Sequence, residues 1–173
     1  FADMLYQLGI GYDSEEGQKL GEKVMKTITD AAHEMSRELA KEKGAFGNWN
    51  LSLSAKKKEA KRRNAALTTV APTGSISMML DVSSGVEPNF ALSFVKQDKD
   101  GQKYHYFNSY FEKALTSQKF SEEKIKEIKD EIVKTGSIQN IAGIPEKFKK
   151  TFVVSMDISA DNHIEMQAAF QRN

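Results

Sequence analysis

At 173 residues, with a net charge of +1 and 28% charged residues, the chain has the size for one hydrophobic core and an ordinary soluble surface, with no case for a nucleic-acid partner or an acidic tail. No apolar run nears the roughly 18 residues that span a bilayer and no signal-peptide pattern opens the sequence, so membrane insertion and secretion are unsupported and the expected location is cytoplasmic. Cysteine is absent, which removes disulfides, thiolate zinc sites and thiol nucleophiles at once.

In chain order, the first long element is a helix. Asp13 and Glu16 are spaced as a capping box. Leu20, Val24, Ile28, Ala31, Met35 and Leu39 follow at helical intervals as a core stripe, and Gly44 is a natural stop. Residues 45–55 read as a connecting loop anchored by Trp49. Lys56, Lys57, Lys58, Lys61, Arg62 and Arg63 form a basic cluster. A nucleic-acid patch is one reading of it. Without interleaved aromatics, a solvated helical face that attracts anions at long range is preferred. Beyond the cluster, 66–71 reads as a strand, 75–80 as a short helix and 81–88 as a tight polar crossing. Segments 92–97 and 102–107 flank Asp98-Lys99-Asp100-Gly101, a hairpin signal. Helices are expected over 107–117 and 121–135, the second with Ile125, Ile128 and Ile132 on one face and Gly136 at its end. Residues 137–150 read as loop with a single turn after Pro145. The Phe-Val-Val content makes 151–156 a buried strand, and 160–172 is a final helix. Only 66–71 and 151–156 look fit for a parallel sheet. There is no internal repeat and no low-complexity linker.

Residues 63–77 carry the clearest chemistry. An apolar, β-branched run leads into Pro72-Thr73-Gly74 and then into hydroxyls and small apolar residues. Strand, tight turn and helix start in that order leave the first helical amides unpaired and aimed at the turn. The backbone amides of Gly74, Ser75 and Ile76, with the hydroxyls of Thr73, Ser75 and Ser77, would cradle a phosphate-sized anion. No Lys is embedded, so this is not a Walker loop, and no G-x-G-x-x-G is present. An ordinary strand-to-helix turn stands beside the cradle as an alternative.

Other constellations are weak. His33, His105 and His163 show no metal-ligand spacing. Glu122, Glu123 and Glu127 form a solvated helix face, and Asp157 and Asp161 read as caps near a helix start. No carboxylate pair for acid–base work is identifiable. Glu87, between Gly85 and Pro88, is either a near-substrate group or a turn carboxylate satisfied by backbone.

The stretch 63–77, followed by Ser83-Ser84-Gly85-Val86-Glu87-Pro88, resembles the catalytic chain of ribonucleotide reductase. The form Pro72-Thr73-Gly74-Ser75-Ile76-Ser77 is similar to the adenosylcobalamin-dependent class; the class with a separate radical-generating subunit usually has Pro-Ser-Glu-Thr-Ser there. Near the start, Phe1-Ala2-Asp3-Met4-Leu5 with Leu8-Gly9-Ile10 and Tyr12-Asp13-Ser14-Glu15-Glu16 resembles the helix pair that precedes the loop. Near the end, Asp157-Ile158-Ser159 with His163 and Met166-Gln167-Ala168-Ala169-Phe170-Gln171 resembles the segment leading to the last barrel strands.

The resemblance implies a helix-rich sector of a ten-stranded α/β barrel, incomplete here. The chain would be a single partial domain: 1–44 helical, 64–90 strand, phosphate loop and helix, 91–107 hairpin, 108–150 helical insertion, 151–173 strand and helix. It implies an oxidoreductase that turns ribonucleotides into 2′-deoxyribonucleotides through a cysteine thiyl radical started by adenosylcobalamin. Pro72, Thr73, Gly74, Ser75, Ile76 and Ser77 would hold the substrate phosphates, with Ser84, Gly85 and Glu87 near the substrate and no catalytic or metal-binding residue in this chain. The family's chemistry needs a thiyl cysteine and a reducing pair, and its Asn-Pro-Cys-Gly-Glu-type motif would lie upstream of Phe1. The expectation is therefore a piece of a larger enzyme, inactive alone and binding no cobalamin alone. It would pair with the rest of the reductase chain or self-associate through exposed barrel surface. A non-catalytic phosphate- or nucleotide-binding module and a purely structural fragment are the alternatives.

Overall fold

In the computed structural model, which describes residues 1–97 and 100–172, the first half of the chain forms helices α1 (Ala2–Leu8), α2 (Glu15–Lys43), α3 (Leu53–Lys56) and α4 (Gly74–Leu80). Strands β1 (Ser93–Gln97) and β2 (Lys103–Phe107) follow. Helices α5 (Ser109–Ser117), α6 (Glu122–Thr135), α7 (Glu146–Thr151) and α8 (Ala160–Gln171) complete it, with 3-10 turns at Trp49–Leu51 and Ser155–Asp157. Several of the helices start where a short polar side chain can replace a missing backbone acceptor. Ser14, rather than Asp13, caps α2, its Oγ accepting from the Gly17 amide at 3.0 Å. Asn108, Ser121 and Ser159 do the same for α5, α6 and α8, each such cap being worth about 1 kcal/mol. Gly44 and Gly136, both at φ 76, end α2 and α6.

Two apolar clusters hold these elements together. The first joins α5, α6 and α7 through Phe111, Leu115, Ile128, Ile132, Phe148 and Phe152, with Tyr6 and Leu92 added. Its rings pack edge-on and tilted, with centroids 5.2 Å apart for Phe111–Phe152 and 4.7 Å for Phe148–Phe152. The second joins α1, α2 and α8 through Leu5, Tyr12, Met25, Met166 and Phe170. Helix α1 contributes to both, Tyr6 to one and Leu5 to the other. Its Tyr6 hydroxyl donates to the Val153 carbonyl at 2.6 Å.

The structure corrects the apolar stripe expected on α2. Ile28 is 52% exposed and Met35 60%, whereas the buried positions are Gly17, Gly21, Met25 and Ser36. Helix α8 comes so close that a Cβ on Gly21 would lie 2.9 Å from Phe170 and 3.1 Å from the Met166 sulfur. The contact is made by a missing side chain, which apolar periodicity does not register.

Neither strand expected for a parallel sheet forms. Residues 66–71 are an irregular connection with Ala66, Thr68, Thr69, Val70 and Ala71 exposed. Residues 151–156 run from the end of α7 into the second 3-10 turn, with Val153 and Val154 buried in different clusters. A strand exists only against a neighbour that completes its ladder. Among the described residues the one ladder is antiparallel, β1 against β2, in register from Ser93↔Phe107 to Gln97↔Lys103. Asp98 and Lys99 of the expected hairpin turn, and the side chain of His105, lie outside the described residues.

The basic cluster is not a helical face either. Helix α3 ends at Lys56, and the chain beyond it is pinned to α2 instead. Arg63 N–H donates to the Ser36 carbonyl at 2.9 Å, and Asn64 N–H to Ser36 Oγ at 3.0 Å. Trp49 is buried against Phe46 as the anchor of its loop. Among the described residues, no helix is long and apolar enough to cross a membrane.

Candidate functional site

Helix α4 begins in a strained turn. Thr73, its N-terminal flanking residue, sits at φ 54, a left-handed conformation that costs a β-branched residue on the order of 1–2 kcal/mol. The left-handed position is thus Thr73 rather than Gly74, and a Cβ placed on Gly74 meets nothing within 4 Å. The turn is braced from the 83–87 segment. Ser84 Oγ donates to the Pro72 carbonyl at 2.7 Å and lies 3.4 Å from Thr73 Oγ1. Gly85, at φ 46, backs so closely onto the turn that a Cβ would lie 3.0 Å from the Ala71 carbonyl oxygen and 3.2 Å from Thr73 Oγ1. The two stretches singled out in the sequence therefore form one unit.

Within that unit the first helical hydrogen bond runs from Ser77 N–H to the Thr73 carbonyl at 2.9 Å. No acceptor among the described residues takes the amides of Gly74, Ser75 or Ile76, all three exposed. Ser77 is different. It is buried, and its hydroxyl donates to the Gly74 carbonyl at 2.9 Å, so its proton serves the helix. The Thr73 hydroxyl faces Ser84 Oγ, and Ser75 is exposed.

A cleft of about 330 Å³ opens beside α4, lined by Gly74, Ser84 and Glu87 together with the rings of Phe90, Phe94 and Tyr106. Glu87 also lines a neighbouring cleft with Ser155 and His163, whose Nε2 is 3.1 Å from the Ser155 carbonyl. Burial, and next the charge of Glu87, pushes the Tyr12 phenol up to about 12. Burial, followed by Asp81 and Asp3, does the same to Tyr106. Both phenols are neutral at physiological pH, and Tyr12 spends its proton on the Val86 carbonyl at 2.8 Å.

Among the described residues no group of three or more His, Asp or Glu is placed to hold a metal ion. Asp157 caps the second 3-10 turn, accepting from Val154 N–H at 2.9 Å and from the Ser137 hydroxyl, while α8 takes its cap from Ser159. Sequence reasoning missed Asp3 as part of the site. Its buried carboxylate accepts from Ser83 N–H at 2.6 Å, Asn89 Nδ2 at 2.9 Å and Asn108 Nδ2 at 3.1 Å. Those partners are 80 to 105 residues away, so no local pattern announces them.

The chain matches the model of the ribonucleotide reductase barrel domain over residues 1–62 and 52–172. It belongs to that family. A vitamin B12-dependent ribonucleoside-diphosphate reductase of Thermoplasma acidophilum is 42% identical to this barrel-domain chain over 99% of its length, and one of Mycobacterium tuberculosis is 36% identical over 99%. The chain spans 22% and 24% of those two relatives. Among solved structures, the class Id ribonucleotide reductase alpha subunit of Actinobacillus ureae superposes with a TM-score of 0.73 at 27% identity, covering 99% of this chain and 29% of that one. The helix-rich fold is thus a sector of a reductase barrel.

Proposed function

We propose that this chain supplies the substrate phosphate loop of a cytoplasmic ribonucleotide reductase that makes 2′-deoxyribonucleotides from ribonucleoside diphosphates or triphosphates. The carrying observation is the set of unpaired amides at the exposed residues Gly74, Ser75 and Ile76, the first of which lines the cleft, in a turn held by Ser84 and Gly85. Amides aimed at an anion from a helix start give favourable charge–dipole and hydrogen-bond terms together. Thr73 and Ser75 hydroxyls would add donors to the terminal phosphate oxygens, Pro72 would fix the entry to the turn, and Ser77 would stiffen it. Glu87 would face the sugar end of the substrate from the cleft wall.

In this reading the radical chemistry of the complete enzyme would be supplied by adenosylcobalamin, in keeping with the vitamin B12 dependence named for the relatives. No residue here is assigned to hold it. The thiyl and reducing cysteines belong to other parts of the longer protein, since this sequence has none. What these residues do is bind and orient. The apolar side chains exposed on α4 and beyond it, Met78, Met79, Leu80 and Phe90, would pack against the rest of the reductase chain.

Steady-state kinetics of the complete reductase with Thr73→Ala test the reading. A charge-assisted hydrogen bond contributes about 1.5–3 kcal/mol, so the substrate KM is expected to rise by about ten- to a hundredfold, at about 1.4 kcal/mol per decade. An unchanged KM and turnover would overturn it.

A further inference from the structure

The geometry points to Asp3 as the positioning residue of the phosphate loop, acting through residues 83–89, the later part of the polar crossing with Asn89 added, rather than by touching substrate. This rests on the reading of the loop given above. Asp3 is 6% exposed, on a helix that contributes to both apolar clusters. Its two oxygens gather the crossing from both ends: Oδ2 takes the Ser83 amide at 2.6 Å, and Oδ1 takes the Asn89 side chain at 2.9 Å. Oδ1 also takes Asn108 Nδ2 at 3.1 Å, and the Asn108 side-chain oxygen in turn caps α5 through the Tyr110 and Phe111 amides. The Asp3 amide donates back to Ser83 Oγ at 3.1 Å, and the Phe1 nitrogen to the Gly85 carbonyl at 3.0 Å.

The crossing is thereby fixed to α1, and it in turn bears on the loop. Ser84, next to the residue Asp3 holds, is the residue that donates to the Pro72 carbonyl. Gly85 abuts Ala71 and Thr73. The Asn89 carbonyl accepts from Ser155 N–H at 2.8 Å, which ties the far end of the crossing to the turn before α8. A carboxylate suits the point where three donors converge, because ionised it is acceptor-only. An amide at position 3 would present its own N–H₂ to at least one buried donor. The strained φ of Thr73 needs such an outside brace, since nothing in α4 itself imposes it.

The test uses the complete reductase with Asp3→Asn, Ser84→Ala and Thr73→Ala, each measured for KM, turnover and thermal stability. Asp3→Asn is expected to raise the substrate KM about tenfold with turnover within about threefold of the parent, a split that general loss of folded protein would not give. Inhibition by inorganic pyrophosphate should weaken in parallel. Ser84→Ala cuts the link between crossing and loop while leaving the buried network intact, and should reproduce the KM change. That variant keeps the proposal testable if Asp3→Asn does not fold. A folded Asp3→Asn with unchanged KM, or an unchanged KM in Ser84→Ala, overturns the positioning role even where Thr73→Ala raises KM. A silent Thr73→Ala overturns the loop reading itself.

Discussion

Gly74 and Gly85 lie on the two arms of the same unit and answer differently to a methyl group. Gly74 has open space where a Cβ would go, so Gly74→Ala should leave the melting temperature of the protein within a degree or two while weakening substrate use if an anion sits there. Gly85, at φ 46 and in contact with Ala71 and Thr73, has no such room. Gly85→Ala should cost on the order of 1–2 kcal/mol in a urea unfolding series and displace the loop as well. The sequence showed hydroxyls and glycines of the right kind but not which residue carries the left-handed turn, because that depends on the brace from Ser84. Tyr12 offers a pH readout. Its folded pKa, pushed up to about 12 from the usual 10.0, means the unfolded phenol ionises first. Its contribution is fully present below about pH 10 and is lost as pH rises towards 12. Urea midpoints measured across that window should fall, and fall less steeply in Tyr12→Phe; equal slopes would contradict the assignment.

At the scale of elements, helix extents were readable but their caps less so, since α2 and α8 take theirs from Ser14 and Ser159 rather than from Asp13 and Asp161. Ser121 with Gly136 bounds α6 as its spacing suggests, and the hairpin pairs where the two β-rich runs indicated. What was not readable depends on partners. The face of α2 is set by the close approach of α8 at Gly21, so its large apolar residues are left partly exposed. Gly21→Val should cost about 1–3 kcal/mol by overpacking against Phe170 and Met166, whereas Met35→Ala, at a residue 60% exposed, should change stability by less than about 0.5 kcal/mol. Comparable losses from both would restore the original stripe. The 66–71 run has strand composition without a strand, because composition sets propensity and a neighbouring strand sets the ladder.

Over the whole molecule, the two apolar clusters leave the α4 side uncovered: Met79 is 82% exposed, Leu80 72% and Phe90 71%. Exposed apolar patches of this kind drive association. The 173-residue chain alone should therefore sediment as a concentration-dependent mixture, and Met79→Lys should shift it towards monomer. With no cysteine in its sequence, it should form no deoxyribonucleotide when cobalamin and reductant are supplied. The family was legible from three ordered motifs, but the Asp3 network that ties two of them together was not, because it exists only after folding. The most direct measurement is a structure of the complete reductase with a ribonucleotide bound. The account predicts a substrate phosphate oxygen within about 3.2 Å of the Gly74, Ser75 or Ile76 amide. Phosphates bound elsewhere, with those amides capped by other groups of the protein, would contradict it.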